Sequence, residues 1–262
     1  MDLGLKGKIA LVAASSKGLG KSIALGLAAE GADVIICARD PEMLAQTQQE
    51  IKQTGREVLA VPTDLTDYPQ VQDLVQKAIS TFGRIDILVT NCGGPPSGGF
   101  LDFSIAEWQK AIDLNLMSTI YLCKEVLPHM KSQQGGKIIM LTSMAVKQPV
   151  DGLILSNVSR AGVAGLAKSL ANEFGRDHIL VNMVCPGYTY TERVEKLIEV
   201  LAHKKGVPQS EIVQEWEKQN ALGRLAIPSE IANMVVFLAS DKAGYLTGTA
   251  IQVDGGHAKA LL

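Results

Sequence analysis

Seven short apolar runs, separated by longer amphipathic stretches, constrain the fold of this 262-residue chain more than any other feature. Each run is almost continuously hydrophobic, which is typical of strands buried on both faces of a parallel sheet. The alternation of such runs with helical periodicity predicts an α/β fold, a doubly wound parallel sheet of about seven strands with helices on both faces. The predicted strands are Ile9–Ala14, Val34–Ala38, Val58–Val61, Ile85–Val89, Lys137–Thr142, Leu180–Cys185 and Ala250–Val253. The predicted helices cover residues 19–30, 41–53, 68–82, 104–131, 155–175 and 229–239.

The alternation is interrupted once, between residues 188 and 225, where no strand is predicted. Two helical patterns there flank Gly206-Val207-Pro208, and the first carries an amphipathic stripe. Because ligands bind outside the carboxyl ends of parallel strands, we expect this flap segment (residues 188–225) to cover the cleft. No internal repeat or linker divides the sequence, so residues 1–262 are expected to form a single domain.

Composition and charge exclude several classes of protein. Hydrophobic residues make up 47% of the chain and the net charge is −2, which argues against binding to nucleic acid or to an anionic membrane surface. No apolar run is long enough to span a bilayer, and the N-terminus lacks a signal-peptide core, so a cytoplasmic protein is expected. The four cysteines and four histidines show no ligand spacing, and no metal site is predicted.

A glycine-rich turn follows the first predicted strand directly and opens the first predicted helix. Its residues are Ser16, Lys17, Gly18, Leu19 and Gly20. Glycines in such a turn let the backbone approach a pyrophosphate, and the helix N-terminus favours the negative charge. The sequence therefore predicts a dinucleotide site at this turn.

Further motifs follow the predicted strands in a recognisable order. They are Asp64-Leu65, Thr90-Asn91-Cys92-Gly93, Asn115 within Asp-Leu-Asn-Leu, Ser143, Pro186-Gly187 with Thr189 and Thr191, and Val253-Asp254-Gly255-Gly256. Together with the glycine turn, this order resembles the short-chain dehydrogenase/reductase family over nearly the whole chain. Within that family the chain is most similar to 3-oxoacyl-[acyl-carrier-protein] reductases.

The resemblance implies a Rossmann-type fold, a nicotinamide cofactor and a set of residues that hold it. It also implies a homo-oligomer, a dimer or tetramer, paired through the helices near 104–131 and 155–175. One departure is that Ala13 and Ala14 replace the family's Thr and Gly, which predicts an altered turn because alanine adopts positive φ at a cost. The implied cofactor-binding residues are Ser16, Lys17, Gly18, Leu19, Gly20, Arg39, Asp64, Leu65, Asn91, Cys92, Gly93, Pro186, Gly187, Thr189 and Thr191.

The residues at the end of the second predicted strand bear on the choice between NADP and NAD. An acidic residue there would bond the ribose 2′-hydroxyl and repel a 2′-phosphate. This chain has Arg39 instead, and Lys17 lies in the glycine turn. Two cations at this end favour NADP over NAD, although both could be solvated, since Asp40 follows Arg39.

The catalytic motif departs further from the family pattern. The resemblance implies that Asn115 and Ser143 belong to the catalytic set, and that a Tyr and a Lys lie 13 and 17 residues after Ser143. Here these positions hold Ser156 and Arg160. An aliphatic hydroxyl is a far weaker acid than a phenol, and a guanidinium does not release its proton near neutral pH. Both groups of the expected proton path are therefore replaced.

Other groups could supply the missing proton. Tyr188 and Tyr190 in the loop after the sixth strand are candidates, but packing is the favoured interpretation for both. Lys147 is a second candidate, expected to be a solvated loop cation, and a water fed through Asn115 is a third. The loop Gly93–Gly99 is interpreted either as a ledge of backbone N–H donors or as an ordinary turn.

Two functions remain open at this point. The first is an atypical oxidoreductase that uses NADP(H) to reduce a small-molecule carbonyl, a 3-oxoacyl thioester or related ketone, with altered proton delivery. The second is a catalytically inactive nucleotide-binding sensor or partner subunit. A third possibility is that the cleft, with Ala13 and Ala14 in its turn, no longer binds a dinucleotide.

Overall fold

A sheet of seven parallel strands forms the centre of the computed structural model, which describes residues 1–260. The strand order is β3-β2-β1-β4-β5-β6-β7, and every neighbouring pair is parallel. This topology confirms the predicted doubly wound fold. The strands are β1 (Ile9–Val12), β2 (Asp33–Ala38), β3 (Val58–Pro62), β4 (Ile87–Thr90), β5 (Gly136–Leu141), β6 (Ile179–Pro186) and β7 (Ala250–Val253).

Helices cover both faces of the sheet, because successive side chains on a buried strand point to opposite faces. On β1, Leu11 packs into the layer formed with α3, α5 and α6, whereas Ala10 and Val12 pack into the layer formed with α1 and α9. The helices are α1 (Gly18–Ala29), α2 (Pro41–Lys52), α3 (Tyr68–Phe82), α4 (Ile105–Ile112), α5 (Ser118–Ser132), α6 (Ile154–Phe174), α7 (Glu192–Lys205), α8 (Gln209–Gln219) and α9 (Pro228–Ala239).

The strand order places a crevice between β1 and β4. From β1 the chain passes outward through β2 and β3, and it then returns to the other side of β1 to build β4 to β7. The loops after β1 and β4 therefore diverge at their carboxyl ends, which is where ligands bind in open α/β sheets.

Two predicted elements differ from the structure. The first strand ends at Val12 rather than Ala14, because Ala14 adopts a φ of 49° and turns the chain out of the sheet. The single helix predicted for residues 104–131 is divided into α4 and α5 by a π-helical turn over Asp113–Met117. Such turns are frequent at functional sites, and this one carries the buried residue Asn115.

The flap segment forms two helices, α7 and α8, which meet at Gly206 in the left-handed conformation with a φ of 67°. They share a small apolar cluster centred on Ile198, Ile212 and Trp216, separate from the two clusters that flank the sheet. Thr189 and Ala226 form an isolated bridge where the segment leaves and rejoins the sheet. Among residues 1–260, no helix combines the length and the apolar composition needed to cross a bilayer.

The separate cluster predicts that the flap segment can be loosened independently of the sheet. Ile212→Ala removes a fully buried side chain from this cluster, a change that typically costs about 2–5 kcal/mol. We expect amide hydrogen exchange in α7 and α8 to accelerate at least about tenfold, with exchange in β1 and β4 unchanged. Hydrogen-exchange mass spectrometry measures both regions in one experiment.

Ile35→Ala is the matched control, since Ile35 is equally buried but lies in the sheet. It should lower the melting temperature and accelerate exchange throughout the molecule. Uniform acceleration in Ile212→Ala would contradict an independently packed flap segment.

Candidate active site

The glycine turn joins β1 to α1 and brings free backbone N–H groups to the crevice. The helix begins at Gly18, which has a φ of 57°. A side chain at Gly20 would overlap the backbone carbonyl of Ala14, so only glycine lets the helix approach the turn this closely. The first N–H groups of the helix have no intrahelical partner and can donate hydrogen bonds to an anion's oxygen atoms.

Ala14 keeps the left-handed conformation that glycine would adopt without strain. Its φ is 49°, and such a conformation costs an L-residue about 1–2 kcal/mol. The side-chain amide of Asn91 holds the turn by donating to the carbonyl oxygens of Ala13 and Ala14, each at 3.3 Å. The substitution in the turn is therefore accommodated by strain rather than by a different backbone path.

A groove of about 450 Å³ extends from this turn across the ends of β2, β3 and β4. Its shape, its glycine cradle and its helix N-terminus fit an extended dinucleotide. The predicted residues that line it are Ser16, Lys17, Gly18, Leu19, Arg39, Asp64, Leu65, Asn91, Cys92, Gly93 and Thr191. Sequence reasoning missed Ala38, Asp40, Met43, Thr63, Leu114, Glu192 and Arg193, most of which directly adjoin predicted residues.

Four predicted cofactor residues do not line the groove. Gly20 packs beneath the turn, and Pro186 is the last residue of β6. Gly187 lies directly against the backbone of Asp254, where a side chain would not fit. Thr189 is buried, and its hydroxyl donates to the carbonyl of Gly187 at 3.2 Å. The last three therefore shape the loop that carries Thr191, whereas Gly20 shapes the glycine turn.

The two cations predicted to converge have different surroundings. The ammonium of Lys17 pairs with the Glu192 carboxylate at 2.6 Å, and Glu192 also pairs with Lys196. Among residues 1–260, Arg39 forms no ion pair with a carboxylate within 4 Å. Burial opposes ionisation of Asp64, but hydrogen bonds from Thr66 and the charge of Arg39 hold the pKa of this carboxyl below its usual value.

Asn115 lies at the centre of a buried hydrogen-bond network. Its side-chain amide donates to the hydroxyl of Ser159 at 2.7 Å, and Ser159 in turn donates to the carbonyl of Leu155 at 2.6 Å. The Asn115 oxygen accepts from the thiol of Cys92 at 3.0 Å. Ser159 was missed from the sequence, because a hydroxyl within a helix carries no distinctive signal.

Arg160 is fixed to the end of β5, beside Ser143. Its Nη1 atom donates to the carbonyls of Thr142 at 3.0 Å and Leu141 at 3.4 Å, and its Nε atom donates to the Ser156 hydroxyl at 3.2 Å. The hydroxyl of Ser143 accepts from the N–H of Ala145 at 3.2 Å. The structure therefore brings Ser156 and Arg160 to the strand end that carries Ser143, and it connects Asn115 to the same helix through Ser159.

The cysteines have the environment of neutral thiols. Burial raises the pKa of Cys92, and the charges of Arg160 and Arg193 offset only part of that effect. Burial alone raises the pKa of Cys123 to about 12. No group of three or more metal-binding side chains is present in the part of the chain that the structure describes, residues 1–260.

Comparison with known proteins identifies the family. A sequence profile described as Enoyl-(Acyl carrier protein) reductase matches residues 13–258, which include the glycine turn and every residue of the site. The chain belongs to the short-chain dehydrogenase/reductase family. It is thus an oxidoreductase of that family, as the order of its motifs predicts.

Relatives of this short-chain dehydrogenase/reductase match it over nearly their full length. It is 38% identical to the oxidoreductase UcpA of Salmonella typhimurium, over 96% of this chain and 95% of the relative. It is 33% identical to the 3-oxoacyl-[acyl-carrier-protein] reductase FabG of Aquifex aeolicus, over 98% and 99% of the two chains. The crystal structure of L-sorbose reductase from Gluconobacter frateurii, complexed with NADPH and L-sorbose, superimposes with a TM-score of 0.95 at 34% identity and covers 100% of both chains.

A second cavity, of about 760 Å³, lies between the flap segment and the loop that follows Ser143. Tyr188 forms one wall of it, stacked on Trp216 with ring centroids 3.8 Å apart and perpendicular to the ring of His257 at 5.4 Å. Burial, and then the charge of Glu215, raise the pKa of Tyr188 to about 12, which makes it a poor proton donor. This environment supports the packing interpretation of Tyr188.

Lys147 and Tyr190 also have defined positions. Lys147 is half-buried in the loop after β5, and its charge acts on the thiol of Cys185 in β6. Tyr190 is 40% exposed. Neither side chain has a hydrogen bond to the Ser143 or Ser156 hydroxyl among the described residues.

The strain at Ala14 predicts an unusual gain in stability. Ala14→Gly removes the left-handed strain, and glycine's greater freedom in the unfolded chain offsets part of the gain. We expect a net stabilisation of up to about 1 kcal/mol, measured by urea denaturation.

Ala45→Gly is the control, since Ala45 is exposed in the interior of α2. There the same exchange should destabilise the protein by about 0.5–1 kcal/mol. Equal destabilisation by both changes would show that Ala14 is not strained.

Proposed function

We propose that this protein is an NADP(H)-dependent reductase of small carbonyl substrates in which the proton is not delivered by a phenol. One observation carries the proposal: the nucleotide-shaped groove ends at β4, the neighbour of β5, whose carboxyl end carries Ser143 and binds Arg160, and the second cavity begins at Met144, directly after Ser143. A 3-oxoacyl thioester or a related ketone suits this arrangement, and the names of the relatives support carbonyl chemistry. The proposal treats the chain as one dinucleotide-binding domain, with the flap segment above the substrate.

The residues of the groove would hold the cofactor through its negatively charged phosphate groups. The N–H groups at Gly18–Gly20 would bind the diphosphate, and Arg39 would bind a 2′-phosphate, since its guanidinium lies at the end of β2 without a carboxylate partner among residues 1–260. Thr191, at the start of α7, would close the groove from above. When bound, the nicotinamide supplies the hydride.

The chain's own residues would orient the substrate and stabilise its developing negative charge. The Ser143 hydroxyl can donate to the carbonyl oxygen, and the positive charge of Arg160 at the same strand end favours an oxyanion. Ser156 already accepts a hydrogen bond from Arg160, and its aliphatic hydroxyl is a weak acid. The proton would therefore come from water that reaches the cleft, with Arg160 remaining charged throughout.

The replacement of both proton-path groups also favours a second candidate, an inactive nucleotide-binding sensor or partner subunit. Both candidates require the groove to bind a dinucleotide, and they differ only in turnover. The homo-oligomer implied by the resemblance remains a prediction for either of them.

The cofactor preference can be tested without turnover. Arg39→Asp removes one charge-assisted hydrogen bond and adds a repulsive charge, so NADPH affinity should fall about 10- to 100-fold while NADH affinity changes little. Isothermal titration gives both constants. Arg176→Asp, on an exposed residue outside the groove, is the control for net charge, and equal losses for NADPH and NADH would argue against a 2′-phosphate site at Arg39.

Turnover separates the two candidate functions. NADPH oxidation is followed with a panel of 3-oxoacyl thioesters and ketones, for the wild type and for the double variant Ser156→Tyr with Arg160→Lys. Because a positioned general acid contributes about 10²–10⁴-fold, the double variant should raise kcat at least about tenfold. The matched control is Ser169→Tyr with Arg176→Lys, on exposed residues remote from the groove.

If the wild type binds NADPH in the titration but oxidises none of it with any compound of the panel, the sensor is supported instead. Failure to bind NADPH or NADH at all would overturn both candidates.

A further inference from the structure

Two arginines without carboxylate partners face the same end of the cleft. Arg193 lies two residues after Thr191 and reaches across to the loop after β4, where its Nη2 atom donates to the carbonyl of Pro95 at 3.0 Å. Its guanidinium packs directly against Gly94. Arg160 approaches from the other side and is held by the carbonyls of Thr142 and Leu141.

The two guanidinium groups lie at the ends of neighbouring parallel strands, since Arg193 binds the carbonyl of Pro95 after β4 and Arg160 binds that of Thr142 after β5. Loss of hydration and then the charge of Arg160 lower the pKa of Arg193, and both charges lower the pKa of the Cys92 thiol. Within residues 1–260, no carboxylate lies within 4 Å of either guanidinium. The acceptors of all their hydrogen bonds are neutral oxygen atoms, so neither positive charge is compensated.

The acidic groups nearest to these arginines are already engaged elsewhere. Glu192, adjacent to Arg193 in sequence, binds Lys17 and Lys196. Asp254, which lies beyond Cys185, accepts from the N–H groups of Gly256 and Ala258. Like charges held together without a counterion repel each other, and a bound anion would relieve this repulsion.

On this basis we propose, building on the function proposed above, that Arg193 and Arg160 bind a carboxylate on the substrate. The substrate class is then an oxo acid, or another carbonyl compound that carries a carboxylate. Planar guanidinium groups match the two oxygen atoms of a carboxylate better than any other cationic side chain does.

The position of the pair favours a substrate anion over the diphosphate of the cofactor. The groove has its own anion-binding groups at the glycine turn and at Arg39, by the ends of β1 and β2. Arg193 lines the groove at its β4 end, where its guanidinium contacts the loop after β4, and Arg160 contacts the backbone that ends β5, on the side of the sheet that carries Ser143. An anion held there would place the adjoining carbonyl next to the Ser143 hydroxyl.

The test compares acids with their uncharged esters. NADPH oxidation is measured for a series of 2-oxo and 3-oxo carboxylic acids and their methyl esters, with the wild type, Arg193→Met and Arg193→Lys. The wild type should prefer the acids in kcat/KM, and Arg193→Met should lower this preference, the ratio of acid to ester kcat/KM, about 10- to 100-fold. Arg193→Lys, which keeps the charge, should retain part of the preference, and Arg176→Met is the matched control.

A second measurement does not depend on turnover. Malonate and dimethyl malonate are titrated calorimetrically into the protein in the presence of NADP⁺. Malonate should bind and dimethyl malonate should not, and Arg193→Met should abolish malonate binding. NADPH is titrated into the same variants, where its affinity should fall less than about tenfold, because the glycine turn and Arg39 supply the groove's other anion-binding groups.

Each result has a separate meaning. Equal use of acids and esters by a turning-over wild type would overturn the carboxylate site and leave the reductase intact. A tenfold loss of NADPH affinity in Arg193→Met would overturn it in favour of the cofactor's diphosphate. Malonate binding that depends on Arg193 would support the site even if no compound is reduced, and in that case only the proposed reductase activity fails.

Discussion

The burial of both faces of a parallel sheet is the constraint on which the rest of this structure depends. Parallel strands need helices on each side, so every strand must end at the same edge before the chain turns into a helix. At that edge lie the glycine turn after β1, Arg39 after β2, Asn91 after β4 and Ser143 after β5. The site is a consequence of the topology, and the side chains at that edge determine its chemistry.

For two arginines at that edge, backbone carbonyls rather than acidic side chains are the hydrogen-bond partners. Arg160 binds the carbonyls of Leu141 and Thr142, and Arg193 binds that of Pro95. Carbonyl oxygens orient a guanidinium without neutralising it. The cleft therefore keeps positive charge that an acidic partner would cancel, and this charge suits both the oxyanion and the substrate carboxylate that we propose.

The sheet and most of the groove can be predicted from the sequence, because both follow from local patterns of residues rather than from contacts between distant parts of the chain. Continuous apolar runs identified the seven strands, and the glycine turn located the groove. The interruption at Asn115 could not be predicted, because the π turn depends on contacts with Cys92 and Ser159, which are 23 and 44 residues away in the chain. Arg193 was missed because it lies in a segment interpreted as a flap, and only the fold shows that its side chain reaches the loop after β4.

The π turn at Asp113–Met117 has a further consequence for the two helices that it joins. It adds one residue to the helical count, which offsets the faces of α4 and α5 by about 100° relative to an uninterrupted helix. That rotation lets α5 bury Leu122, Val126 and Met130 under the sheet while α4 follows a separate line along α6. The one extra residue of the π turn thus sets both the hydrogen bonding of Asn115 and the orientation in which α5 packs. Removing that residue would therefore also require the core under α5 to repack.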